Sequence, residues 1–363
     1  MVLPRLGEGD FLGAEIRPAE MSGSAPAVSV IILNWNGHAD TVECLESVSR
    51  IDYPSFRVLV VDNGSTDGSV AAIRAAFPEV EILETGRNLG YAGGNNAGIR
   101  HVLVEQPDVA FVLLLNNDVV VDPGILRAFV EAASAYPEGG IFGGKSYYYS
   151  KPDVVWALGG HWDSAAVEIR FIEQGCNDAG GTPRAPFEVD YVIGCALFFR
   201  VDMLRRTGMM DEAFFLNFEE MDWCYRARRL GVLSYAVPAA RIWHKVSVSF
   251  GGGESPLWKY FMTRNELLWA RRHLPFSERL RVSRKVLGRL VPDCSLGNGV
   301  RHGLARRLYW EGRRCALEGV RRSRDPYYQA QFFGIAHYLF RRLGDCPDRL
   351  KEKFQKTVVR GDG

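Results

Sequence analysis

Long apolar runs are the first thing this 363-residue sequence lacks. Its longest uninterrupted apolar stretch near the centre, Val109 to Leu115, is strand-length and far short of a membrane span. The first 20 residues hold three Glu, an Asp and two Arg but no apolar core, so they do not read as a signal peptide. Cysteine is sparse and poorly placed for cross-linking. The seven thiols (Cys44, Cys176, Cys195, Cys224, Cys294, Cys315 and Cys346) are odd in number, and no two stand at a C-x-x-C spacing. That argues against a zinc ribbon and a disulfide framework, and for reduced thiols in the cytoplasm. Two phosphate-binding signatures are also missing. No G-x-x-x-x-G-K-[ST] occurs, and no G-x-G-x-x-G follows the first predicted strand, which excludes a P-loop and disfavours a dinucleotide site.

Net charge is nearly absent too, at +1, but this mean conceals an asymmetry. Residues 271–363 carry 22 of the 44 Lys and Arg but only 9 of the 43 Asp and Glu, leaving the first 270 residues acidic. An acidic body with a basic tail implies an anionic partner for the tail. Within it, residues 279–291 and 332–343 mix basic and apolar residues at helical spacing, the pattern of a helix lying on an anionic membrane surface. The competing reading is a solvated helix packed on the acidic body. No nucleic-acid-reading motif accompanies the charge, so a nucleic-acid partner is not expected. The protein is expected in the cytoplasm, with the tail holding it at the inner face of the cell membrane.

What is present is a 47% hydrophobic composition, enough for a sizeable core, and a recurring strand–helix alternation. Residues 1–26 read as a polar, mobile leader. The pattern then predicts strands at 28–33, 56–61, 80–83 and 109–115, and helices at 39–49, 68–76 and 94–104. A further helix opens at Asp122-Pro123, with Asp as cap and Pro in the first turn. Such alternation specifies an α/β fold with a mostly parallel, Rossmann-like sheet covered by helices on both faces. Beyond Ile141 the pattern loosens. Residues 145–190 read as irregular or antiparallel, 219–230 as a helix ended by Gly231, 232–237 as a strand, and the chain from Trp258 onward as mainly helical.

In an open parallel sheet, ligands bind outside the carboxyl ends of the strands. Each predicted strand here ends in amides, carboxylates or glycines. These are Asn34-Trp-Asn36-Gly37, Asp62-Asn-Gly-Ser-Thr-Asp67, Asn88-Leu-Gly90-Tyr-Ala-Gly-Gly-Asn95-Asn-Ala-Gly98, and Asn116-Asn117-Asp118. Singly, each reads as a turn or a cap. Four at one sheet edge point to a site where Asn and Asp bond a base and ribose hydroxyls, and where glycines admit close backbone approach.

This set of motifs, in this order and spacing, resembles family-two glycosyltransferases, with closest similarity to the branch of bacterial rhamnosyltransferases. The resemblance spans about residues 27–270. It implies a GT-A fold with a nucleotide-sugar-binding half (27–121), an acceptor and catalytic half (122–270), and a basic helical extension (271–363). It also implies a nucleoside-diphosphate sugar donor, a Mg or Mn cofactor and inversion at the anomeric carbon. The acceptor would be a glycan or a lipid-linked glycan.

By the same resemblance Asp118 holds the metal, with Asn116 standing where the family has the first acid of Asp-x-Asp. A hard cation needs few protein carboxylates when phosphates supply the remaining oxygens. Asp62 reads the base, with Asn34, Asn36, Asn88, Gly90, Asn95 and Asn117 around the donor. Glu220, in Glu219-Glu-Met-Asp222-Trp223, maps onto the general base. Asp222 is the alternative, and its competing reading is an i,i+4 pair with Arg226. His244 completes the metal or diphosphate site, and Gly194, Cys195 and Trp223 lie on the acceptor side. Tyr260, Arg264 and Asn265 reach the phosphates when residues 247–255 close. Two other readings compete with a transferase. One is a non-catalytic sugar or nucleotide binder, which Asn116 and Glu220 keep open. The other is a sugar nucleotidyltransferase, which the first loop, lacking the usual Gly-rich run ending in Arg, disfavours.

Overall fold

The structure is a computed structural model and describes residues 25–178, 184–246, 255–290 and 323–358. Most of the expected leader, the 247–255 loop up to residue 254, and residues 291–322 and 359–363 of the tail lie outside the described residues. The chain forms two compact units. The first comprises the described residues up to Val246 except 164–167 and 216–218; the second comprises those two stretches and the described residues from Ser255 onward.

The first unit begins with β1 (Val28–Asn34), α1 (His38–Val48), β2 (Phe56–Asp62), α2 (Ser69–Ala76), β3 (Glu81–Glu84), α3 (Gly90–Glu105) and β4 (Phe111–Asn116). The four strands lie in the order β3-β2-β1-β4, all parallel. Their near-continuous apolar sequence follows from this position: Val30, Ile31, Ile32, Leu113 and Leu114 are wholly buried. The chain moves outward from β1 through β2 to β3, then returns past β1 to β4. Strands on either side of β1 are therefore reached in opposite directions, which opens a crevice at the carboxyl ends of β1 and β4.

Two helix starts differ from the sequence expectation for reasons the side chains supply. α3 starts at Gly90, four residues before the predicted Gly94, because the chain ahead of it is already fixed by side chains. Asn63 Oδ1 accepts the Leu89 amide at 2.9 Å, and Asn88 Oδ1 accepts that of Gly90 at 2.8 Å. Its glycines let the helix lie directly on the sheet: a Cβ at Gly94 would come within 2.5 Å of Leu33, and one at Gly98 within 2.8 Å of Val61. The second difference concerns Asp122, which is not a helix cap. It closes the turn before α4 (Ile125–Ala135), its side chain accepting from the Gly124 amide at 2.8 Å and its carbonyl from Ile125 at 3.0 Å.

The rest of the unit supplies β5 (Val119–Val121), β6 (Gly139–Tyr148), β7 (Lys151–Ala157), β8 (Gly160–Asp163), β9 (Glu168–Phe171), β10 (Phe187–Val189) and β11 (Ala196–Arg200). The short α5 (Leu204–Thr207), α6 (Glu219–Arg229) and β12 (Leu233–His244) complete it. β11 inserts antiparallel between β4 and β6, and β12 runs parallel to β6, extending the sheet to β10-β12-β6-β11-β4-β1-β2-β3. Phe198 of β11 stacks on Phe129 of α4 at 4.9 Å, joining the two halves in one core. β12 is twice the length of the predicted strand, and its last residues pair with β5.

In the second unit the described helices are α7 (Pro256–His273), α8 (Phe276–Gly288), α9 (Pro326–Leu339) and α10 (Asp348–Val358). α7 and α9 start alike. A capping side chain, Ser255 or Asp325, accepts an amide of the first turn, and a proline follows it where no amide is needed. The two helices pack with Tyr260 OH at 2.7 Å from His337 Nδ1 and Gly334 against the Tyr260 carbonyl.

Candidate functional site

At the carboxyl end of β1, Asn34 is fully buried and holds three loops together. Its Nδ2 donates to Asp62 Oδ1 at 2.9 Å and to Ser65 Oγ at 3.1 Å, while its Oδ1 accepts from Thr41 Oγ1 at 2.8 Å. The strand register explains the meeting, since Asn34 lies opposite Asp62 and Leu33 opposite Asn116. Asp62 also accepts the Ser65 amide at 3.0 Å, which closes the Asp-Asn-Gly-Ser turn. Asn36 is exposed and left-handed (φ 50), and its Oδ1 accepts the Thr66 amide at 2.8 Å. Asn117 donates to the Gly37 carbonyl at 3.2 Å and to Thr41 Oγ1 at 3.1 Å. Asn88 and Gly90 are tied to the same edge through Asn63, whose Nδ2 reaches Asn88 Oδ1 at 3.2 Å and the Gly90 carbonyl at 3.0 Å. Asn95 is wholly buried, donating to the Tyr91 carbonyl at 3.0 Å, and its Oδ1 has no hydrogen-bond partner.

Asp118 and His244 are brought together by a strand ladder. β5 and β12 pair so that Val119 faces His244, and the Lys245 amide donates to the Asp118 carbonyl at 3.0 Å. The side chains follow: His244 Nε2 lies 3.2 Å from Asp118 Oδ1, and both residues are buried. Burial pushes the Asp118 carboxyl up, but the His244 imidazole beside it, with help from its own backbone and Lys245, more than offsets this and holds it below the usual range. His244 Nδ1 is buried without a hydrogen-bond partner. An oxygen and a nitrogen about 3 Å apart suit adjacent positions around a cation whose ligand bonds are about 2.1 Å. The pair therefore fits a divalent ion, though only in part. Among the described residues no group of three or more His, Cys, Asp or Glu is gathered for a metal. Diphosphate oxygens and water would have to fill the remaining positions.

The second carboxyl centre is the start of α6. Glu220 is partly accessible as a residue, yet its Oε2 is buried without a hydrogen-bond partner, and burial pushes its carboxyl up to about 7. Before this helix, Phe215, Asn217 and Phe218 all adopt left-handed backbone (φ 64, 66 and 75), uncommon for side-chain-bearing residues and typical of functional segments. The Phe215 carbonyl accepts the Tyr91 amide at 2.7 Å, and Tyr91 OH donates to the Gly194 carbonyl at 2.6 Å. Tyr91 is held well above its ordinary range by burial and by the charges of Glu220, Glu219 and Cys195.

Cys195, between Gly194 and β11, is pushed up to about 12. Burial is the main cause, and both Asp118 and Glu220 add to it. Both carboxyl centres thus act on this thiol. Its Sγ is 3.9 Å from Ser146 Oγ, and its carbonyl accepts the Asn116 amide at 3.1 Å.

Two residues of the first unit occupy settings of their own. Asp222 is wholly buried in the i,i+4 ion pair with Arg226 (2.7 Å), and Arg226 also donates to the Thr207 and Met209 carbonyls. Trp223 is wholly buried, with Nε1 bonded to Gly208 O at 2.9 Å and its ring edge-on to Phe199; its place is in the core beneath α6. Arg264 belongs to the second unit. There it is buried, its guanidinium over the Tyr260 and Phe261 rings and bonded to Asn265 Oδ1 at 2.9 Å and to Gly344 O.

Several residues at this edge carry no mark in the sequence. Thr41 is one of them: only the fold brings its hydroxyl to Asn34, opposite that of Ser65 from the Asp62–Asp67 motif. Lys245, directly after His244, is clamped by Asp40 and by Glu43 (2.6 Å), and Glu43 also accepts from Tyr149 OH at 2.6 Å. Hydrogen bonds from Lys245 and Tyr149 hold Glu43 below the usual carboxylate range. This network ties α1 to the end of β12 beside the Asp118–His244 pair.

Comparison with known proteins agrees with this layout. The model of the family described as "Glycosyl transferase family 2" matches residues 29–208. An N-acetylglucosaminyl-diphospho-decaprenol L-rhamnosyltransferase of Mycobacterium tuberculosis is 30% identical over 229 residues, covering 57% of this chain and 72% of that protein. A dTDP-rhamnosyl transferase of Shigella flexneri is 23% identical over 265 residues, covering 68% of this chain and 81% of its own. Among solved structures, a mannosyltransferase from Pyrobaculum calidifontis in complex with GDP-Man and Mn2+ aligns at a TM-score of 0.50 and 17% identity. The alignment covers 87% of this chain and 88% of that one, and speaks to the fold alone.

Proposed function

Starting from the premise that this chain belongs to glycosyl transferase family 2 and has the GT-A fold, we propose that it is a metal-dependent, inverting glycosyltransferase of cell-surface polysaccharide synthesis. Its donor would be a dTDP- or UDP-linked sugar, with rhamnose favoured by the names of its relatives, and its acceptor a lipid-linked glycan. The observation that carries the reading is a pair of carboxyl groups in contrasting states, Asp118 beside an imidazole and held low, and Glu220 with one oxygen buried without a hydrogen bond and its carboxyl raised to about 7.

In this scheme Asn34, Asp62 and the loops they fix form the donor-side edge, with Asn36, Asn88, Gly90, Asn95, Asn116 and Asn117 around it. Glu220 takes the proton from the acceptor hydroxyl as that oxygen attacks the anomeric carbon. The bond from that carbon to the diphosphate breaks at the same time, and the diphosphate leaves with the electron pair. A carboxyl poised near 7 is matched to this proton transfer. Asp118 and His244 would hold Mg or Mn, which supplies charge neutralisation to the leaving diphosphate. Asp222, neutralised by Arg226, sets the helix in place and leaves the role of base to Glu220. The lipid-linked acceptor would bring the enzyme to the inner face of the cell membrane.

The test is release of nucleoside diphosphate from a panel of UDP-, dTDP- and GDP-sugars with Mn or Mg. The expected result is turnover of one donor, lost on adding EDTA and in Asp118→Ala. Tight nucleotide binding without turnover of any donor, even with a lipid-linked acceptor present, would overturn the reading in favour of a binding protein.

A further inference from the structure

A cleft of about 320 Å³ opens within the second unit. Leu268, Arg271 and Arg272 of α7 line one side, and Tyr338, Arg341 and Leu343, at and just beyond the end of α9, line the other. Its chemistry is divided. Two leucines and a tyrosine form an apolar wall, three guanidinium groups stand around it, and none of the described lining residues carries a carboxylate. Arg341 has left-handed backbone (φ 55), so the chain bends sharply where the helix ends. On that bend Leu339 and Phe340 are 67% and 77% exposed. Arg342 follows, also exposed.

A large aromatic and a leucine left in water beside a cationic cleft are unfavourable for a purely aqueous surface. A soluble phosphate would engage the guanidinium groups but leave Leu339 and Phe340 wet. An apolar partner would cover those two but desolvate the guanidinium groups of Arg271 and Arg341 without pairing them. A ligand with a phosphate next to hydrocarbon satisfies both halves together. The geometry points to this cleft as a docking site for an anionic phospholipid headgroup, with Leu339 and Phe340 entering the acyl boundary beside it. No described helix is long and apolar enough to cross a membrane, so contact of this kind is with the surface. The basic, apolar face of α8 adds to the same chemistry, with Phe276, Leu280 and Leu287 exposed and Arg279 over the Phe276 ring. The site deepens the proposed function, which places the acceptor in a membrane, but its test does not depend on turnover.

The experiment is flotation of the full chain with vesicles of phosphatidylcholine alone and of phosphatidylcholine with phosphatidylglycerol at 3:1. The parent chain is expected to float only with the anionic vesicles and to be released by high salt. Arg271→Glu with Arg341→Glu should lower vesicle affinity at least ~10-fold, consistent with several basic contacts each contributing at the anionic surface. Leu339→Ala with Phe340→Ala should lower it at unchanged charge. Circular dichroism and donor turnover in detergent should match the parent in both variants, since none of these residues lies in the transferase site. Flotation of the charge-reversed variant equal to the parent's would overturn the proposal. So would equal flotation on neutral vesicles, or retention of inorganic phosphate or RNA by a chain that binds no vesicle. Loss of turnover with flotation intact would instead count against the proposed function alone.

Discussion

Replacing Glu220 by glutamine should make the protein more stable and far less active, and the stability gain should depend on pH. Burial raises the Glu220 carboxyl from an ordinary 4.5 to about 7. The folded chain therefore holds this proton more tightly than the unfolded chain does. That preference stabilises the fold fully below the unfolded value and is lost as pH rises through the folded one. Two and a half pH units correspond to about 3 kcal/mol between the ionised and neutral forms. Glutamine copies the neutral carboxyl and carries no such penalty. At pH 8, Glu220→Gln should gain up to about 3 kcal/mol, a rise of roughly 6–12 °C in the unfolding of the first unit; at pH 5 the gain should be small. In the same variant, transfer to acceptor should fall by about 10²- to 10⁴-fold, the usual contribution of a general base. In the parent, the rate should climb with pH and level off near 7. Thermal unfolding at the two pH values, beside an acceptor turnover assay, reads both effects. A variant that transfers at the parent rate, or whose stability difference is the same at pH 5 and pH 8, would refute the assignment.

Substitutions at two further positions probe the surroundings of that carboxyl. Arg226→Ala leaves Asp222 buried without its counter-charge and frees two carbonyls, so urea unfolding should show a loss of about 3–5 kcal/mol. Arg226→Lys should recover only part of it, because an ammonium cannot reproduce the planar fork. Gly90→Ala forces a side chain into left-handed backbone (φ 74) and within 2.7 Å of the Phe215 ring, so a loss of about 3 kcal/mol or more is expected by the same measurement.

Much of the nucleotide-side layout could be read from the chain. β1, β2 and β4 are apolar runs ending in amides or acids, and a run buried on both faces has few other conformations open to it. The Asp222–Arg226 pair was legible from i,i+4 spacing alone. Other features were not legible because they depend on residues distant in sequence. Gly90 to Gly93 read locally as a loop; they are helical because Asn63 and Asn88 fix the Leu89 and Gly90 amides ahead of the first turn. β12 read as a six-residue strand because Pro238-Ala239-Ala240 interrupts its pattern. The sheet continues past that interruption since β5 awaits it. The clamp of Asp40 and Glu43 on Lys245 spans some two hundred residues, and no local pattern encodes it.

The interruption in β12 has a consequence for how such a site can change. Before it, Val237 pairs with Gly144; after it, Arg241 pairs with Lys145, so Pro238, Ala239 and Ala240 are taken up without partners on β6. The bulge works as a spacer between two ladders, one belonging to the core and one carrying His244 to Asp118. Because side chains alternate along a strand, adding or removing a single residue there would turn His244 to the opposite face while leaving the core ladder in register. The proposed metal site could thus be retuned, or discarded, by changes in the length of this three-residue bulge, while the core ladder of the sheet stays in register.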